Sequence, residues 1–358
     1  MTISRRLSIA ALALVAVAAA MWTPGQLGES AVVPGRGAEI STSGCGDGSL
    51  GVTAVTVGES QEALDRQSGD ISAIGFSSVR LPIEWPRIEL SPGTFDWSQI
   101  DAQVDSFLAK GVGVLGVVTW APTFAVPVEN QLVRNPAPAD PAAFAQFAAE
   151  AAQHFDGRIS TWEVWNEPNV GAAFGPIVNV DLYSRMLVQS YQRIKAVDPS
   201  LTVLTGGTSP TADNATDLSP ASFVRELYRL GAGGSFDGVA MHPYSYIPLS
   251  NANNVGESGS DIELVREQMV AAGDENKKIW FTEFGVPTGG PTNLTEIQQA
   301  QYLVDGISYL RSLPYCAGLF LFDFRDVATG SASQEYNFGL VRSDYTPKAS
   351  LAAVESIM

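Results

Sequence analysis

Short runs of β-branched and apolar residues alternate with amphipathic stretches from about residue 50 onward, and turns rich in Gly, Pro and Asp separate them. This alternation is typical of β-strands and α-helices that follow one another around a parallel sheet. We count eight units of strand and helix along the chain. The predicted strands are 51–57, 77–81, 112–119, 159–166, 202–205, 238–241, 278–282 and 317–322.

The helical periodicity between these strands, together with turn and cap residues, predicts the intervening helices. Proline after Asp140 and after Ser219 is typical of a first helical turn, and Asp181 is a candidate helix cap. The predicted helices are 97–110, 141–155, 182–197, 221–230, 262–272 and 295–313. Eight units in about 310 residues match a (β/α)₈ barrel, which takes about 250 residues plus loop insertions. A doubly wound open sheet is the alternative, and no room is left for a second domain.

The N-terminus has the pattern of a secretory signal peptide. Arg5 and Arg6 precede an apolar run at 7–20, which ends in alternating small residues. This run of about 14 residues is shorter than the roughly 20 needed to span a bilayer, so a signal peptide is favoured over a membrane anchor. The pattern predicts a signal peptide at 1–20, with cleavage between residues 20 and 30.

The remainder of the chain divides into a lead-in and one domain. Residues 21–48 are rich in Gly, Pro, Ser and Thr without apolar periodicity, which predicts a flexible lead-in. Residues 49–358 form the predicted (β/α)₈ catalytic domain. The signal peptide implies that the protein is secreted or delivered to the cell envelope, with no membrane span in the mature chain.

Composition narrows the chemistry that this domain can perform. The net charge is -17, from 21 Lys and Arg against 38 Asp and Glu, and such a surface repels nucleic acid and anionic lipid. Only two histidines are present, which excludes a multi-histidine metal centre. The phosphate-binding loop G-x-x-x-x-G-K-[ST] and the serine-hydrolase elbow G-x-S-x-G are both missing from the sequence. We therefore expect carboxylate chemistry on a neutral partner, without a metal or cofactor.

Two glutamates stand where a (β/α)₈ barrel places its catalytic groups, at the carboxyl ends of strands. Glu167 ends the fourth predicted strand in W-E-V-W-N-E-P-N at 162–169, and Glu283 ends the seventh in I-W-F-T-E-F-G at 279–285. Either residue alone could be a solvated loop acid. These two strands lie nearly opposite across the barrel mouth, so the carboxyls can reach one substrate from two sides. Glycoside hydrolysis requires such a pair.

These two motifs resemble clan A of the glycoside hydrolases, whose members are retaining (β/α)₈ enzymes. The resemblance covers the chain from about residue 51. It includes V-R-L-P-I-E-W at 79–85, M-H-P-Y at 241–244 and Y-N-F-G-L-V at 336–341. Within the clan, the chain is most similar to members of families 39 and 5.

The resemblance implies roles for individual residues. Glu167 corresponds to the general acid/base and Glu283 to the nucleophile, while Asn166 corresponds to the residue that binds the sugar 2-hydroxyl. Burial and the charge of Glu283 are expected to keep Glu167 protonated. Arg80 corresponds to an arginine beside the nucleophile, and an ion pair with Glu163 inside the barrel is its structural alternative.

Further substrate contacts are expected around the mouth. Similar sequences use residues such as His242 and Tyr244, after the sixth strand, to hydrogen-bond the nucleophile and the sugar. Trp85 and Trp120 follow the second and third strands, where aromatic faces suit stacking on pyranose rings.

One departure from the clan lies at the eighth strand. Members usually carry a tryptophan there under the sugar, whereas this chain reads L-F-L-F-D-F-R-D at 319–326. Phe320 or Phe322 is expected to take its place. Asp323 and Asp326 are expected to contact sugar or, more simply, to pair with Arg325.

Each of the two cysteines precedes one of two strands that are neighbours in a closed barrel. Cys45 precedes the first strand and Cys316 the eighth, so both are expected at the bottom. An exported protein meets oxidising conditions, which predicts a disulfide between them; two buried free thiols are the alternative.

The sequence thus predicts an exported retaining glycoside hydrolase that cleaves O-glycosidic bonds of a neutral poly- or oligosaccharide. A glycan-binding barrel without activity and a transglycosylase with the same site are the alternatives. The expected partner is a carbohydrate substrate, and neither nucleic acid nor a membrane is expected.

Overall fold

The computed structural model describes residue 40 and residues 44–47, 49–254, 257–290 and 293–358. The predicted signal peptide at 1–20 and most of the predicted lead-in lie outside the described residues. Among the helices that are described, none is long and apolar enough to cross a membrane.

The strands form one barrel and one small hairpin. They are β1 (Gly51–Thr53), β2 (Ser78–Glu84), β3 (Glu89–Ser91), β4 (Thr94–Phe95), β5 (Gly113–Thr119), β6 (Thr161–Val164), β7 (Thr202–Leu204), β8 (Gly238–Met241), β9 (Lys278–Phe284) and β10 (Cys316–Leu321). All but β3 and β4 pair in parallel in the order β1-β2-β5-β6-β7-β8-β9-β10, and β10 pairs with β1 to close the barrel. The predicted (β/α)₈ fold is confirmed, and the open doubly wound sheet is wrong.

The helices connect successive barrel strands. They are α1 (Gln61–Ile74), α2 (Trp85–Ile88), α3 (Ser98–Leu108), α4 (Pro141–His154), α5 (Val180–Val197), α6 (Pro220–Arg229), α7 (Ser258–Ala271), α8 (Glu296–Ser312) and α9 (Ala349–Glu355). Gln67 and Ser68 are buried on α1, and these polar residues interrupt the apolar periodicity by which that helix would have been predicted.

Helix starts follow local hydrogen bonding. The Asp140 side chain accepts the N–H of Ala142 at the start of α4, and the Ser219 side chain accepts an N–H at the start of α6. The cap of α5 is Asn179, so the prediction that Asp181 caps this helix is wrong. Asp181 instead lies in the first helical turn, where its charge favours the helix dipole.

The barrel interior is packed with side chains rather than open. Trp280 fills its centre together with residues of other strands, including Leu204 of β7 and Phe320 of β10. Gly318 makes room for this ring, since a Cβ at that position would overlap it. Phe320 is therefore a core residue, and the prediction that it could support a sugar is wrong for this position.

Two buried links tie distant segments of the chain to the barrel. Cys45 and Cys316 form a disulfide across 271 residues, with their Cα atoms 5.5 Å apart. Lys348 donates to Asp326 at 2.7 Å, and both side chains are fully buried. The disulfide joins the segment before β1 to the first residue of β10, at the amino ends of the strands.

Candidate active site

The two predicted carboxylates lie at the carboxyl ends of β6 and β9, which are three strands apart around the barrel. Glu283 is the penultimate residue of β9 and is 7% exposed. Glu167 follows the end of β6 in a turn where Trp165 and Glu167 both have left-handed backbone, with φ of 74° and 51°. This conformation is costly for residues other than glycine, and such strain clusters at functional sites. It is held by the Glu167 N–H, which donates to the carbonyl of Gly207 at 3.1 Å.

His242 brings the two carboxylates into one cluster. One carboxylate oxygen of Glu167, one of Glu283 and a ring nitrogen of His242 all lie within 4.8 Å of one another. His242 Nδ1 is 3.2 Å from Glu167 Oε1 and 3.6 Å from Glu283 Oε2, while Nε2 is 3.2 Å from the Thr282 hydroxyl. Gly207 permits this arrangement, because a Cβ there would overlap the imidazole.

Arg80 organises the nucleophile side of the site. Its guanidinium donates two hydrogen bonds of 3.0 Å to Glu163, a third to Glu283 and a fourth of 2.7 Å to Asn166 Oδ1. Burial lowers the pKa of Arg80, but Glu163 and Glu283 outweigh this effect and raise it above its usual value. The structure thus places Arg80 in both predicted settings, beside Glu283 and in a buried ion pair.

The proton distribution differs from the one predicted. Burial raises the pKa of Glu167, but the hydrogen bond and charge of His242 outweigh this, and the net pKa lies below the usual value. Burial lowers the pKa of His242, but Glu283 and the hydrogen bond to Glu167 raise it above its usual value. The proton of this pair therefore belongs to His242, and the expectation that burial and Glu283 keep Glu167 protonated is wrong for this arrangement.

Aromatic side chains border Glu283. The hydroxyl of Tyr244 donates to Glu283 Oε2. The Tyr244 ring meets Phe322 and Phe338 edge to face, at centroid distances of 6.0 and 5.6 Å. Phe322 therefore lies where the sequence predicted an aromatic residue after the eighth strand.

These groups open into a pocket of about 400 Å³, a size typical of small-ligand sites. Asn166, Glu167, Tyr244, Glu283 and Phe322 line it. The sequence analysis missed further lining residues on the loops after β7, β8 and β10, namely Ser209, Tyr246, Gln334 and Glu335. These residues lie in irregular loops beyond the strand ends, where no periodic signal indicates which side chains face the mouth.

Neither of the two predicted stacking residues, Trp85 and Trp120, is part of the lining of this pocket. Trp85 is 2% exposed, stacks on Phe147 at 5.4 Å and donates its ring N–H to Glu89. It does not line the pocket of the carboxylates. Trp85 lines a separate pocket instead, because the chain enters α2 at this residue and turns the indole toward α4, and its contact with substrate stays a prediction. Trp120, after β5, remains partly exposed and packs edge to face on Trp165 at 5.6 Å.

The acids after β10 are not paired with Arg325 as expected. Arg325 pairs with Glu59, and Asp326 pairs with Lys348. Burial raises the pKa of Asp323 to about 8, with the charge of Glu283 acting in the same direction and backbone N–H groups opposing it. The raised pKa favours the uncharged form of Asp323 at pH 7, and this carboxyl feels the charge of the nucleophile.

No protein-family model and no curated protein matches the sequence. Solved structures do match. A family 39 glycoside hydrolase from the gut symbiont Bacteroides cellulosilyticus WH2 aligns with a TM-score of 0.70 and 22% identity, over 87% of this chain and 63% of that chain. This chain thus spans less than two thirds of that protein's length.

Two further structures have the same fold. A monomeric β-xylosidase from Caulobacter crescentus CB15 aligns with a TM-score of 0.66 and 18% identity, over 88% of this chain and 69% of that chain. GH5_18 from Streptomyces cattleya, in complex with GlcNAc, aligns with a TM-score of 0.67 and 17% identity, over 86% and 79% of the two chains. The predicted resemblance to families 39 and 5 is confirmed at the level of the fold.

Proposed function

We propose that the protein is an exported glycoside hydrolase that cleaves O-glycosidic bonds of a neutral oligo- or polysaccharide with retention of configuration. The proximity of the carboxylates carries this proposal, because oxygens of Glu167 and Glu283 lie within 4.8 Å. Retaining enzymes hold their two carboxyls about 5 to 5.5 Å apart, whereas inverting enzymes need about 6.5 to 9.5 Å to admit a water. The shorter separation favours direct attack by a carboxylate.

Glu283 is the nucleophile in this proposal. Arg80 donates to its Oε1 and Tyr244 to its Oε2, which orients both oxygens. One of them forms a bond to the anomeric carbon as the bond from that carbon to the leaving oxygen breaks. Asn166 accepts a hydrogen bond from Arg80 through Oδ1, so its amide nitrogen is left to donate to the sugar 2-hydroxyl.

Glu167 is the acid and then the base. His242 Nδ1, at 3.2 Å, supplies a proton to Glu167, which passes it to the departing oxygen. Once ionised, Glu167 accepts a proton from the water that attacks the anomeric carbon and releases the sugar from Glu283. His242 thereby compensates for the lowered pKa of Glu167.

The charges around the pocket favour a neutral substrate. Glu167, Glu283 and Glu335 line the pocket. The guanidinium of Arg80 lies beside them, but it already binds the carboxylates of Glu163 and Glu283. An anionic sugar would meet this field and the net charge of -17. Export is supported by the pattern at 1–20 and by the disulfide, and N-terminal sequencing of protein recovered from the culture medium tests it.

Substitution of the two glutamates on 4-nitrophenyl glycosides tests the assignment. Glu283→Gln should lower kcat by roughly 10³-fold or more. Glu167→Ala should retain the first step on these activated substrates, and azide should accelerate its second step by replacing the activated water. Glu84→Gln is the matched control, since Glu84 also ends a barrel strand but pairs with Arg87 outside the pocket.

Proton NMR of the first product decides the stereochemistry. A retained anomer supports Glu283 as nucleophile, and an inverted anomer contradicts it. Sugar binding without turnover by the wild type would indicate a glycan-binding barrel instead, and predominant transfer to sugar acceptors would indicate a transglycosylase.

A further inference from the structure

Two loops meet above the strand that carries Glu283. In the barrel, β9 lies between β8 and β10. The loop after β8 contains Tyr246 and the loop after β10 contains Gln334, and both residues line the pocket. Gln334 Nε2 donates to the Tyr246 hydroxyl at 2.9 Å, across 88 residues of sequence. The pocket wall is therefore continuous on this side.

This wall is held in place by its own loop. Asn337 is 1% exposed, and its amide donates to the carbonyls of Ser331 at 2.9 Å and Ser333 at 2.7 Å. Gly290 packs directly on Gln334, since a Cβ at Gly290 would lie 2.8 Å from the Gln334 Cβ. The segment that carries Gln334 is thus anchored by buried contacts on its inner side.

The positions of the carboxylates set the direction of the substrate, and this step rests on the proposed function. The leaving oxygen must face Glu167, so the departing part of the glycan extends toward β6. We expect the sugar transferred to Glu283 on the opposite side, where Phe322 and Gln334 line the pocket. That sugar belongs to the non-reducing part of the chain.

We propose that the Tyr246–Gln334 contact is the end wall of the pocket and that the protein removes one sugar at a time from the non-reducing end. A second sugar on that side would have to occupy the space of the two contacting side chains. Tyr246 and Gln334 are therefore specificity-determining residues, which select a chain end over an internal bond.

Product size tests this assignment. Xylohexaose, cellohexaose and mannohexaose, each labelled at the reducing end, are digested briefly, and labelled products are resolved by mass spectrometry. The wild type should first yield the labelled pentasaccharide. In Tyr246→Ala and Gln334→Ala, labelled trisaccharide and tetrasaccharide should appear, with the ratio of pentasaccharide to shorter products lowered about tenfold. Tyr336→Ala is the control, since Tyr336 lies in the same 3₁₀ turn as Gln334, at Gln334–Tyr336, but is outside the pocket lining.

Each outcome separates this inference from the proposed function. Labelled trisaccharide as a first product of the wild type would overturn the end wall while leaving a glycosidase in place. End-selective cleavage that neither variant relaxes would overturn the role of the two side chains. Failure of the wild type to cleave any hexasaccharide or aryl glycoside would contradict the proposed function itself.

Discussion

Replacement of Asp323 by Asn should stabilise the protein at neutral pH. Asp323 is 6% exposed, and its pKa is raised from 3.8 to about 8, chiefly by burial. In the unfolded chain the carboxyl ionises near pH 3.8, whereas in the folded protein it stays neutral until about pH 8. Because the folded pKa is raised, the native state loses stability as pH rises from 3.8 to about 8.

The magnitude follows from the interval between the unfolded pKa and the working pH. Ionisation of the carboxyl stabilises the unfolded chain relative to the folded protein by about 1.4 kcal/mol for each pH unit above the unfolded pKa of 3.8. Between this value and pH 7 the interval is about 3 units, which corresponds to about 4 kcal/mol. Asparagine does not ionise and keeps an oxygen that can accept the N–H of Phe324. Asp323→Asn should therefore raise the free energy of unfolding by up to about 4 kcal/mol at pH 7 and by close to zero near pH 4.

Urea unfolding of both proteins at the two pH values measures this difference. Asp326→Asn is the control with the opposite expectation, because Asp326 pairs with the buried ammonium of Lys348 and its loss should destabilise at pH 7. An equal effect of Asp323→Asn at both pH values, or destabilisation at pH 7, would refute the inference that Asp323 is a neutral carboxyl.

Three other perturbations have defined outcomes. Lys348→Met should lower the free energy of unfolding by about 3–5 kcal/mol, because it leaves the buried carboxylate of Asp326 without its partner. The double variant Lys348→Met with Asp326→Leu should recover part of this loss in the same urea titration. Reduction of the Cys45–Cys316 disulfide should cost about 2–5 kcal/mol, measured by thermal unfolding with and without reductant; an unchanged midpoint would contradict it. Activity on a neutral aryl glycoside should depend little on sodium chloride, and a steep decline of kcat/KM with salt would instead indicate an anionic substrate.

The sequence by itself determined the barrel and the placement of its two carboxylates. Strands of a parallel sheet are buried on both faces, so they appear as short apolar runs whose ends can be located, and the strand at Gly238–Met241 has the predicted bounds. Glu167 and Glu283 follow such runs and precede Pro or Gly, which places them at the mouth through local pattern alone.

Only the tertiary structure decided how the side chains at the mouth interact. Trp85 follows a strand as Trp120 does, yet packing against α4 buries Trp85, whereas Trp120 remains partly exposed. Burial lowers the pKa of His242, but the charge of Glu283 and the hydrogen bond to Glu167 outweigh this and raise it. The contact with His242 in turn outweighs burial and lowers the pKa of Glu167, so residues 75 positions apart decide where the proton lies.

The loops depend on the tertiary structure most of all. The contact between Tyr246 and Gln334 joins segments that have no periodicity of their own. Their paths are set by long-range packing, such as that of Gly290 on Gln334, and by the buried amide of Asn337. Local pattern records which face of a strand or helix is buried, whereas the meeting of two irregular loops depends on the whole barrel that carries them.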